Sequence, residues 1–68
     1  MRSISNYELA TRVLNCLNVT NLDVCFGDVL GDIDASRTPT EESQLVSDAW
    51  ISETVANIVW AWNEAIRR

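Results

Sequence analysis

Nucleophiles are plentiful in this sequence, but it holds no side chain of the usual kind to activate one. Serine and threonine hydroxyls recur along the chain and there are two thiols, Cys16 and Cys25, yet histidine is absent and all five basic residues are arginines. The imidazole that serves as general base and the amine that forms Schiff bases are therefore both missing. Two carboxylate pairs remain, Asp28 with Asp32 and Glu41 with Glu42. Acid–base work by such a pair needs a cleft that separates the two pKa values, and a helical chain of 68 residues has little room for one. The helix dipole accounts better for Glu41 and Glu42 at a helix start, and a solvated helix face accounts for Asp28 and Asp32. The sequence therefore reads as a non-enzyme, with no catalytic residue and no cofactor.

Metal chemistry fares no better. Two thiolates do not complete the four-coordinate site of structural zinc. Asp32, Asp34 and Ser36 alternate like the opening of a calcium loop, but Arg37 stands where that loop needs glycine and Ser43 where it needs glutamate. The match is fortuitous. Cys16 and Cys25 are expected to act as small buried apolar residues, since two cysteines form no disulfide framework and nothing around Met1–Asn6 resembles an export signal.

A net charge of −5 disfavours nucleic acid as a direct ligand, because phosphate binding depends on clustered cations. It also disfavours anionic lipid surfaces. The longest unbroken apolar run, Ile58–Trp62, falls far short of the roughly 20 residues a membrane span requires. A cytoplasmic protein whose partners are other proteins is the expectation. Asp23, Asp28, Asp32 and Asp34 form the densest acidic stretch, with no base among them, and supply a candidate acidic surface.

The elements that position these residues are legible as helices. Ser5 and Glu8 have capping-box spacing and Ile4 and Leu9 that of a hydrophobic staple. Leu9, Ala10, Val13, Leu14 and Leu17 then recur at helical period, with Glu8 and Arg12 paired on the outer face. This predicts a helix over 6–17. Leu22, Cys25, Phe26, Val29, Leu30 and Ile33 make a second stripe and predict a helix over 21–33, opened by Thr20 and Asp23. Gly27 and Gly31 weaken it, but leave one side on which a second backbone could approach. A loop is expected at 34–37. Thr38, Pro39 and Glu41 open a last helix, with threonine as cap and proline at its first position. No glycine or proline follows, so one helix over 39–67 is favoured over two joined near Ser52.

The fold expected is all-α, one domain over 1–68: a small helical bundle of two short helices packed on one long C-terminal helix, bent or broken. With 47% apolar residues and a length below the roughly 70–80 residues at which one core suffices, it is expected to be completed by dimerisation.

The three tryptophans single out a surface. On one continuous helix Trp62 shares a core seam with Leu45, Ser52, Val55, Val59 and Ile66, while Trp60 lies roughly 160° around the axis. Val46, Ala49, Ala56 and Trp60 form a thinner second seam, with Glu53 on that side and Trp50 between the two seams. Tryptophan is the residue most enriched at interface hot spots. The leading expectation is a small acidic modulator, an inhibitor or adaptor of a larger protein. Its interface would be Trp60, Trp50, Val46, Ala49, Ala56 and Glu53, flanked by the aspartates, and its size would suit a phage or mobile-element product. The alternatives are a nucleic-acid mimic occupying a basic groove and a structural or assembly subunit of a larger complex.

Overall fold

A computed structural model describes residues 1–17 and 25–66. Among these residues four helices run in order: α1 Asn6–Cys16, α2 Phe26–Ser36, α3 Pro39–Glu42 and α4 Asp48–Ile66. There is no strand among the described residues, only an isolated antiparallel bridge between Arg2 and Val46. α1 is the central element and packs on both α2 and α4. The molecule measures 34 × 21 × 16 Å.

α1 follows its sequence signals. Ser5 is extended, and its hydroxyl accepts from the Glu8 amide at 3.0 Å, while Ile4 and Leu9 are both buried. Leu17 turns extended and closes the helix. The Glu8 carboxylate is directed outward, bridging Arg2 at 2.9 Å and Arg12 at 3.0 Å. These two partners hold Glu8 below its ordinary pKa, first through the Arg2 hydrogen bond and then through that of Arg12.

The other boundaries differ from expectation. The second helix, expected over 21–33, opens only at Phe26. Cys25 is extended and stands as its cap, its carbonyl accepting from Asp28 and Val29. Hydrophobic spacing carries through a cap as readily as through a helix, so the stripe did not mark this start. The turn at 18–21, the Thr20 cap, Leu22 and Asp23 lie outside the described residues. At its other end α2 continues through Asp34, Ala35 and Ser36, the expected loop. Ser36 folds its hydroxyl back onto the carbonyls of Asp32 and Ile33, the second of which belongs to the last turn, where carbonyls lack an intrahelical partner. Gly31 has open space where a side chain would stand and Gly27 meets only the Cys25 sulfur. No second backbone among the described residues exploits either.

The helix expected over 39–67 is interrupted at 43–47, upstream of Ser52. α3 opens as the sequence indicates, with a complete Thr38–Glu41 capping box and Pro39 in its first turn. Ser43 then ends it by donating its hydroxyl to the carbonyls of Pro39 and Thr40. Val46 exchanges both backbone hydrogen bonds with Arg2, at 3.0 and 2.8 Å, a commitment no helical residue can make. Ser47 restarts the chain, its hydroxyl accepting from the Trp50 amide and its carbonyl from that of Ile51. The long core seam is cut accordingly, and Leu45 is exposed. α4 alone spans about 28 Å at 1.5 Å per residue, not the full length expected.

Ile4, Leu9, Ala10, Val13, Val29, Ile33 and Ile51 make the buried core. Only Ile51 represents α4; Val55, Ile58, Val59 and Trp62 pack against the core half-covered. Tyr7 meets Phe26 edge-on at 4.9 Å. The buried charged group is Arg37, just past α2 and only 8% exposed. Its guanidinium donates to the Ile4 carbonyl at 2.6 Å, the Asn6 side-chain oxygen at 3.1 Å and the Glu41 carbonyl at 3.3 Å. It also lies 5.4 Å from the centre of the Trp50 ring. Asn6, itself buried, donates its side-chain amide to Asp34 and the Arg37 carbonyl, and its backbone amide to Glu42.

Replacing Arg37 by methionine would leave buried acceptors unpartnered, and we expect a loss of about 3 kcal/mol in urea unfolding followed by helical circular dichroism. Arg12→Met, at an exposed pair screened by solvent, should lose much less. Equal losses would contradict the assignment. The Glu8 pair gives a pH signature. A depressed carboxylate contributes stability above its unfolded value, ordinarily 4.5, and loses it as pH falls through the folded one. The advantage of the wild type over Glu8→Gln should thus be flat near neutrality and shrink progressively below about pH 5.

Candidate functional site

The structure divides the expected interface residues into two groups. Ala49, Glu53, Ala56 and Trp60 lie on α4 at spacings of four, three and four, which places them on one face, and all four are exposed. Trp60 is 68% exposed, the most open of the large apolar side chains within the helices. Val46 and Trp50 belong elsewhere. Val46 precedes α4 and is half-buried in the bridge to Arg2. Trp50, though 38% exposed, lies against the Arg37 guanidinium. Both secure the N-terminal segment to the break between α3 and α4.

Beside the Trp60 face, an open groove of about 510 Å³ lies between α1 and α4. Ile51, Val55, Ala56 and Val59 line it from α4, with Arg12, Asn15 and Cys16 along the α1 rim. Sequence reasoning missed this groove. Its signal was present in the polar run Asn15–Cys16 opposite Val55 and Val59, but the pairing of α1 with α4 was needed to see it. Cys16 is therefore not the buried filler expected. It is free and exposed on the rim, and Cys25 is free and exposed at the α2 cap, donating its thiol to the Asp28 carboxylate at 3.3 Å.

The acidic surface is also partitioned. Asp23 lies outside the described residues. Asp34 is tied to Asn6 and Asp28 to Cys25. Asp32 makes no side-chain hydrogen bond or ion pair among the described residues; instead it borders a smaller recess with Ala61, Trp62 and Ala65 of α4. That recess lies on the Trp62 side of the helix, away from Trp60.

Among the described residues no three acidic or thiol side chains converge to hold a metal, and no helix is long and apolar enough to cross a membrane. What this side of the molecule presents is an exposed indole, small neighbours and an apolar groove beside them. No protein-family model, curated protein or solved structure matches this chain.

Proposed function

We propose that this chain is a small non-enzymatic protein that binds and modulates a larger protein through the outer face of α4, and that two copies pair through the same face when that partner is absent. The observation that carries the reading is Trp60, 68% exposed on a face whose other members are Ala49, Glu53 and Ala56. An indole left in water on a structured helix is a large apolar surface held ready at little further entropic cost. Alanines beside it admit a close neighbour, and the groove toward α1 accepts side chains from that neighbour. A standard interface takes about 800 Å² from each partner, about a sixth of the 4715 Å² this chain presents.

The partition of the aspartates favours this reading over mimicry of nucleic acid. A phosphate mimic needs an extended row of free carboxylates, whereas Asp28 and Asp34 are occupied within the fold. The acidic flank supplies solubility and long-range orientation, with Trp60 supplying affinity.

Trp60→Ala is the direct test. Helical circular dichroism should be unchanged, because Trp60 is outside the core. Light scattering across micromolar concentrations should show the wild type moving toward twice 7.6 kDa and the variant remaining at the single-chain mass. Host proteins retained by the immobilised wild type should be lost with the variant and should resist raised salt. Equal retention by the two would overturn the proposal, and a wild type that stays monomeric throughout would remove the self-pairing part of it.

A further inference from the structure

A second surface on the molecule has a different chemistry. α2 and the C-terminal half of α4 leave between them a recess of about 160 Å³ lined by Asp32, Ala61, Trp62 and Ala65. Three features coincide there. Trp62 is half-buried, packed on the core yet open to the recess. Ala61 and Ala65 flank it with side chains too short to cover an indole. Asp32 stands at the border, exposed, its carboxylate without a hydrogen bond or ion pair among the described residues.

We propose that this recess receives an arginine side chain from a basic segment of a partner protein. Charge complementarity selects the occupant: the chain carries −5 overall, and the carboxylate of Asp32 at the recess has no hydrogen bond or ion pair among the described residues. The aromatic wall selects arginine over lysine, because a guanidinium is planar, weakly hydrated and stacks on an indole while its edge donates to a carboxylate. The volume suits one side-chain head and excludes a helix, which is about 10–12 Å across. The chain already uses the same pairing internally, where the Arg37 guanidinium lies 5.4 Å from the Trp50 ring centre. The inference rests on the reading of the chain as a protein-binding module for the source of the arginine, but the recess and Trp60 are on different sides of α4 and are separable.

The probe is N-acetyl-arginine amide, titrated into the whole protein while the indole N–H resonances of the tryptophans are followed by NMR. N-acetyl-citrulline amide, nearly the same shape without the charge, is the control. The expected result is a saturable shift of the Trp62 indole with the arginine probe and an affinity about tenfold weaker with citrulline. Asp32→Asn, a surface change that leaves the core intact, should weaken the arginine probe by a similar factor. Arg67→Gln/Arg68→Gln, which lowers the chain's own positive charge by two, should leave binding equal or tighter. Trp60→Ala should also leave it unchanged, so that failure of the Trp60 face and failure of the recess are distinguishable. Equal binding of arginine and citrulline probes, parallel shifts of the Trp60 and Trp62 indoles, or full affinity in Asp32→Asn would each overturn the proposal.

Discussion

A buried guanidinium holds this fold together. Arg37 reaches from the end of α2 to the carbonyl before α1, to Asn6 inside it and to the carbonyl of Glu41 in α3, so one side chain ties the distant N-terminal segment to the connection between α2 and α3. Its charge is balanced at one remove: Asn6 passes hydrogen bonds on to Asp34 and Glu42, placing two carboxylates around the cluster. Desolvating a guanidinium is unfavourable, and such a cluster adds little net stability over an apolar equivalent. What it contributes is geometry. Chains this short commonly need a disulfide, a metal or a partner to fix their topology, and here a polar clamp fixes the segments that α1 alone would leave to drift.

The clamp explains why the break before α4 falls where it does. With Ile4 and Asn6 held by Arg37, Arg2 is presented to Val46, and the bridge between them removes 46 from helical pairing. Trp50 then closes over the guanidinium. The serines at 43 and 47 make the interruption easy, since their hydroxyls satisfy backbone groups on either side of it. None of them compels it.

The parts of the fold legible in the sequence are those written locally. The Ser5 and Thr38 caps, Pro39 in the first turn of its helix, the α1 stripe and the Glu8–Arg12 pair all depend on residues within one turn of each other, and all are present. The exposed position of Trp60 was readable for the same reason, as helical phase is a local property. The discrepancies are long-range. Arg37 looked like an ordinary loop residue because its partners are 31 and 33 positions away, and Val46 joined the outer seam because its partner, Arg2, belongs to another part of the chain. Cys16 and Cys25 looked apolar by type, whereas exposure is decided by which helix packs where.

The division between clamp and face also bears on what the molecule can do. Everything that fixes topology lies at one end: Arg37, Asn6, Trp50 and the Arg2–Val46 bridge surround the start of α4. From Val55 onward the apolar side chains that pack on the core are half-covered, with α1 on one side and α2 on the other and open grooves beside both. Anchoring one end of an apolar helix while leaving its remaining length partly uncovered gives an axis with two unfilled flanks, and the proposed binding through Trp60 would draw on a helix already formed, which lowers the ordering cost of association. A chain that closed its core evenly around α4 would be more stable alone and would have no such surface to present.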